Sequence, residues 1–262
     1  MNERAAAPET GHEPIRPATE VWFADLDAAA PALAELDRRA ALVDQRECAT
    51  LTSEYGATST RKLAARRALR FAIHVQFGES FRARPIVLGP RGKPAIDGLP
   101  GDFSLSHSGR WLLIATTRAP RIGVDLEAER PSARPVSMSR ARQDAIVAAA
   151  RLVATEPPAI TDFFVAWVHL EAVAKATGLG IGPTLSALGV RGRVPSAVPP
   201  PEGWPRAATL DLGALEPRPV AGLRAAIAGN AAVTDGPLVI RRLPDTAADL
   251  ERLLASSRVA AG

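Results

Sequence analysis

A chain of 262 residues, 47% hydrophobic and 23% charged, is long enough to bury a substantial core and has the makeup of a soluble globular protein, as one large domain or two small ones. The net charge of +4 is spread along the chain, and 5% aromatic residues form no aromatic-basic platform, so nucleic acid is not an expected partner, whereas a polyanionic small ligand is compatible. The single cysteine, Cys48, rules out an internal disulfide and a thiolate zinc site; it reads as a small residue in a helix. No apolar run approaches the ~18–20 residues of a membrane span, and the N-terminus lacks the apolar core of a signal peptide, so no membrane partner and a cytoplasmic location are expected.

Residues 1–19, with Pro8, Pro14 and Pro17 among small polar residues, read as a mobile tail. Val21–Asp25 reads as a short strand, Ala28 to about Tyr55 as helix, and Thr60–Phe77 as a second helix capped by Ser59 or Thr60 and ended by Gly78. Strands follow at Pro85–Leu88, Phe103–His107, Trp111–Thr117 and Ile122–Glu127, before Pro131 and Pro135 mark a break. Beyond it, helices are expected over Arg140–Ala154 and Phe163–Thr177, the latter ended by Gly178. Further strands are expected at Leu185–Val190, Ala207–Leu212, Gly222–Ala228 and Leu238–Arg241, then a last helix over Asp245–Arg258. Helices followed by strands thus occur twice. The expected fold is α+β: two similar, pseudo-twofold related halves at residues 20–130 and 131–245, each with helices on a small antiparallel sheet, a site at their junction, and a C-terminal helix or tail at 246–262.

The residues able to do chemistry fall in two of these segments. In an extended Ile122–Glu127, alternation puts Ile122, Val124 and Leu126 on one face and Gly123, Asp125 and Glu127 on the other, where Gly123 leaves room for a ligand. In the Phe163–Thr177 helix, Phe163, Trp167, Leu170 and Ala174 form a core stripe, Phe164, Glu171 and Lys175 lie along its edge, and His169 points away. Glu171 and Lys175, four apart, are either a surface pair or partners in a cleft. Asp125, Glu127 and Glu171 are the oxygen ligands that magnesium prefers, with Lys93 and Lys175 to neutralise phosphate. No glycine-rich nucleotide loop of the Walker kind is present, and the four histidines (His12, His74, His107, His169) show no metal-ligand spacing. His107 shares strand parity with Phe103 and Leu105. Base usage is lopsided: Lys62, Lys93 and Lys175 stand against 29 arginines, and two of the three lie in these motifs.

Together, Gly92-Lys-Pro94, Phe103-Ser-Leu-Ser-His-Ser-Gly-Arg-Trp111, Ile122-Gly-Val-Asp-Leu-Glu127, and Phe163-Phe-Val-Ala-Trp167 through Glu171, Lys175 and Gly178-Leu-Gly-Ile181 resemble the 4′-phosphopantetheinyl transferase superfamily, of the larger, two-halved, monomeric type. The resemblance runs from about Val21 to Arg241. It implies transfer of the phosphopantetheine arm of coenzyme A to a serine of an acyl or peptidyl carrier protein, with release of adenosine 3′,5′-bisphosphate. By the same resemblance, Asp125, Glu127 and Glu171 hold magnesium (Mg2+), Glu171 also helps remove the serine proton, and Lys175 steadies the transferring phosphate. Lys93, Ser106, His107 and Arg61 embrace the adenosine 3′-phosphate end of coenzyme A. Two departures stand out. Leu170 and Val168 replace the family's Lys and Ser or Thr, removing a positive charge near phosphate or carrier, and Ser137–Arg142 does not match the aromatic-rich segment that docks the carrier. The competing reading is a non-catalytic relative that binds coenzyme A or a carrier. A magnesium nuclease fits less well, because its lysine usually follows the glutamate by two positions on a strand.

Overall fold

The computed structural model describes residues 19–55, 59–128, 138–157, 160, 162–191, 195–216 and 221–259. Apart from Thr19, the expected N-terminal tail lies outside them, as do the Pro131–Pro135 break and Ser137.

The chain is a mixed α+β protein. It opens with β1 (Thr19–Asp25), α1 (Leu26–Ala40), α2 (Gln45–Tyr55), α3 (Ser59–Phe77) and α4 (Glu79–Arg82). Strands follow: β2 (Ile86–Leu88), β3 (Pro94–Ile96), β4 (Asp102–Ser108), β5 (Trp111–Thr117) and β6 (Ile122–Ala128). Next come α5 (Arg140–Val153), α6 (Phe163–Thr177), α7 (Ile181–Ala187), β7 (Arg206–Thr209), β8 (Leu223–Gly229), α8 (Ala231–Thr234), β9 (Leu238–Arg242) and α9 (Ala247–Val259).

Two expected elements differ. The first long helix is broken after Ala40: Ala41 is left-handed at φ 45°, and the Asp37 carboxylate accepts the Val43 N–H at 2.9 Å, so a side chain takes over where helix bonding stops. Leu185–Val190, expected as a strand, is instead the last turn of helix α7, through Ala187, and the turn that follows it. Its buried Leu185 and Leu188 stand three apart, a helical spacing, and Pro183 sits in the first turn, where its missing N–H costs no bond.

β4, β5, β1 and β9 form one sheet in that order, with β1 antiparallel to β5 and parallel to β9. β6, β8 and β7 form a second, antiparallel sheet, and β2 and β3 a small hairpin. Two strands cross the division expected at residue 130. β6 pairs with β8, and β9 returns to β1, after which α9 sets Leu250 and Leu254 into the core beneath α1 and α3.

Strand alternation builds the layers. Trp22, Ala24, Leu112 and Ile114 face α1–α3, while their neighbours Val21, Phe23, Leu113 and Ala115 face the second sheet. There they meet Ile122, Val124, Leu126, Ala225 and Ile227, whereas Ala226 and Ala228 turn outward under α5 and α6. The order through the molecule is helices, sheet, sheet, helices, with three apolar layers between.

Gly123 sets how closely α6 approaches β6. A Cβ there would overlap the Ala172 carbonyl oxygen and stand 2.5 Å from the Ala176 nitrogen, both helix backbone atoms. The space expected for a ligand is therefore filled by α6 itself. Gly123→Ala is expected to cost at least about 1–3 kcal/mol, because backbone cannot be repacked as a side chain can. In a protein this size that lowers the melting temperature by ~2–4 °C per kcal/mol, measurable by thermal denaturation.

Candidate active site at the seam of the sheets

α6 begins where Asp162 accepts the Val165 N–H and ends at Gly178, left-handed at φ 68°. Between Ala166 and Ala176 every residue is buried except Trp167, Glu171 and Lys175. These stand four apart and form one inclined row continuing from Phe163, which stacks on Trp167 at 5.8 Å. The helix is therefore core nearly all round, not amphipathic. Phe163 and Trp167 belong to the row of Glu171 and Lys175. His169, expected to point away, is buried, with Nδ1–H donating to the Val165 carbonyl at 2.7 Å and Nε2 near the Thr209 hydroxyl at 3.3 Å. Burial lowers its pKa.

β4 and β6 are the facing edges of the two sheets, and side chains join them. At a constant offset of 20 residues, Asp102 accepts the Ile122 N–H (2.9 Å), Ser104 the Val124 N–H (3.1 Å) and Ser108 the Ala128 N–H (3.1 Å). Lys93 spans the same seam, donating to Asp102 and to the Ile122 carbonyl.

This seam holds the acidic groups. Asp125 is 4% exposed; its Oδ1 accepts from Ser106 Oγ and from Lys175 Nζ, both at 2.7 Å. Its Oδ2 is buried with no hydrogen-bond partner among the described residues. Glu127 accepts from Ser108 Oγ at 3.1 Å. Glu171 is half-buried, and burial raises its pKa; Asp125 and Glu127 raise it further, and Lys175 opposes them. Asp125, Glu127, Glu171 and Lys175 therefore act on one another electrostatically. As placed, no three carboxylate, imidazole or thiolate groups among the described residues are gathered into a metal cluster. The donors nevertheless suit a hard divalent cation: three carboxylates, one with an orphaned oxygen and one strained by its acidic neighbours.

One cavity opens beside this group, and a second adjoins it. The first, of about 240 Å³, is lined by Arg91, Lys93, Phe103, Glu171 and Lys175; the second, of about 280 Å³, by Leu51, Lys62, Arg66, Leu88 and His107. They share Gly92, Pro94 and Leu105 and so adjoin as two lobes of one grooved region. His107 reaches the second lobe because β4 alternation turns it, with Leu105, away from Ser106. Ser106 lines neither lobe; it faces Asp125. Arg61 lies outside the groove as well, on the surface, paired with Asp27 through Nε (2.7 Å) and Nη2 (2.8 Å). Its neighbour Lys62 is a groove residue that the motifs missed, as are Arg66 and Arg91. Base usage was the available signal for Lys62, since all three lysines of the chain line this groove.

No family model matches the chain. Over 102 residues it is 34% identical to a 4′-phosphopantetheinyl transferase of Bacillus subtilis, covering 38% of this chain and 44% of that protein. Over 103 residues it is likewise 34% identical to the 4′-phosphopantetheinyl transferase Sfp of Bacillus subtilis strain 168, with the same 38% and 44% coverage. Both matches support the phosphopantetheinyl transferase superfamily. The matched part spans less than half the length of these relatives. Against that background the departures at Val168 and Leu170 acquire a packing reason. Both lie in the α6 core, at 1% and 0% exposure, so neither position offers a charge to a phosphate or a carrier.

Proposed function

We propose that the protein transfers the 4′-phosphopantetheine arm of coenzyme A to a serine of an acyl or peptidyl carrier protein, releasing adenosine 3′,5′-bisphosphate. The observation that carries this reading is a pair of adjoining cavities, one lined by Glu171 and Lys175, which couple to Asp125 and Glu127 behind them, and the other by His107, Lys62 and Arg66. We read the two helix-on-sheet layers as the halves of the larger, single-chain type, acting as a cytoplasmic monomer.

In this reading Asp125, Glu127 and Glu171 hold magnesium. A magnesium ion bound there neutralises charge on the pyrophosphate of coenzyme A. The chain's own groups do the rest. Lys175 balances Asp125 in the free protein and places a mobile ammonium beside the phosphate to be transferred. Glu171, already biased toward holding a proton, takes the proton of the incoming serine. Leu51 and Leu88 give the second lobe an apolar wall for a base, Lys62 and Arg66 supply positive charge for a 3′-phosphate, and His107 offers it a ring N–H. Lys93 acts on the groove by fixing the seam from which Asp125 projects. Phosphoryl transfer of this kind leans on positioning and charge neutralisation, which a rigid seam provides. The reading as a non-catalytic binder drew on Leu170 and on the unmatched Ser137–Arg142 segment; burial accounts for the first by packing.

Chromatographic detection of adenosine 3′,5′-bisphosphate tests the proposal. Incubation with coenzyme A, magnesium and an apo-carrier is expected to release it, and omitting the carrier to prevent release. Coenzyme A bound but never cleaved, across fatty-acid, polyketide and peptide-synthesis carriers, would favour the binding relative.

A further inference from the structure

The four β4 side chains at the seam do not all do the same thing. Asp102, Ser104 and Ser108 each accept a main-chain N–H from β6 at the same 20-residue offset. That register brings Ser106 opposite Leu126, yet the Ser106 hydroxyl donates to the Asp125 carboxylate instead. Ser108 does both, accepting from Ala128 and donating to Glu127. Each carboxylate of the Asp-x-Glu pair therefore receives a hydroxyl from the neighbouring sheet.

The consequence is sharpest at Asp125. Ser106 and Lys175 both occupy Oδ1, which fixes the rotation of the carboxylate and leaves Oδ2 buried without a partner among the described residues. We propose that Ser106 is a positioning residue: its hydroxyl aims Asp125 so that Oδ2 is presented to a divalent cation, with Ser108 steadying Glu127 in the same way. This rests on the transferase reading of the site, but differs from the family-based expectation that Ser106 contacts coenzyme A. The hydroxyl acts through the carboxylate, as outer-shell groups do when they orient metal ligands.

The test is manganese binding, read from the loss of the free-ion electron paramagnetic resonance signal in the presence of coenzyme A. Ser106→Ala is expected to weaken binding about 10–100-fold, the usual cost of losing an outer-shell partner. Ser106→Thr keeps the hydroxyl and is expected to restore binding to within a few-fold of wild type. Val124→Ala controls for loosening: it trims the opposite, apolar face of β6 and is expected to lower the melting temperature while leaving manganese affinity unchanged. Equal binding by Ser106→Ala and wild type would overturn the positioning role, as would an equal loss in Val124→Ala. Wild-type protein that binds coenzyme A but no manganese would instead overturn the metal assignment beneath it.

Discussion

Glu171→Gln is expected to raise thermal stability while reducing transfer by about 10²–10⁴-fold, the range for losing a positioned proton acceptor. Ionised Glu171 is penalised first by burial and then by Asp125 and Glu127, with Lys175 offsetting only part of this, so its pKa is higher in the folded than in the unfolded protein. Between those two pKa values the folded state holds more protons, and stability therefore falls as pH rises through the window. A neutral amide removes both the penalty and that slope. Melting curves across the pH range above the ordinary carboxylate value should show the variant gaining on wild type as pH rises, by ~2–4 °C for each kcal/mol relieved. A variant less stable than wild type at neutral pH would mean that Glu171 holds structure rather than strain.

Leu170→Lys has the larger effect on folding. The leucine is fully buried in the apolar cluster that α6 makes with α5 and the second sheet. Losing it costs about 2–5 kcal/mol, and the ammonium that replaces it has no acidic partner in that apolar cluster. The lysine usual at this position in the resembled family is therefore expected to unfold this protein or drive it into aggregates. Circular dichroism and solubility check this; a soluble, folded variant would show that α6 can roll to release that side chain.

The parts of the site that were legible in the sequence obey local rules. Two-residue alternation placed Asp125 and Glu127 together and His107 apart from Ser106, and Gly178 marked the end of α6. What was not legible depends on contacts distant in sequence. That Gly123 admits a helix backbone rather than a ligand depends on where α6 lies, about fifty positions on. The amphipathic reading of α6 failed because its whole circumference is covered, by α5, β6 and β8 as well as its own layer, leaving only one row open. β9 alone gives no sign that it returns to β1, since an edge strand's choice of partner is tertiary. Arg61 and Lys62 are adjacent on α3 and point in different directions, so the phase of the helix, which no motif supplied, decided which of them meets the groove.

On the proposed reading, the seam group acts on coenzyme A for the benefit of a carrier serine. Intact-mass analysis of an apo-carrier incubated with the protein, coenzyme A and magnesium tests it most directly. The expected result is a gain of one phosphopantetheine per carrier, abolished by chelator and by changing the acceptor serine to alanine. An unchanged carrier mass across acyl and peptidyl carriers, under conditions where the protein binds coenzyme A, would contradict it.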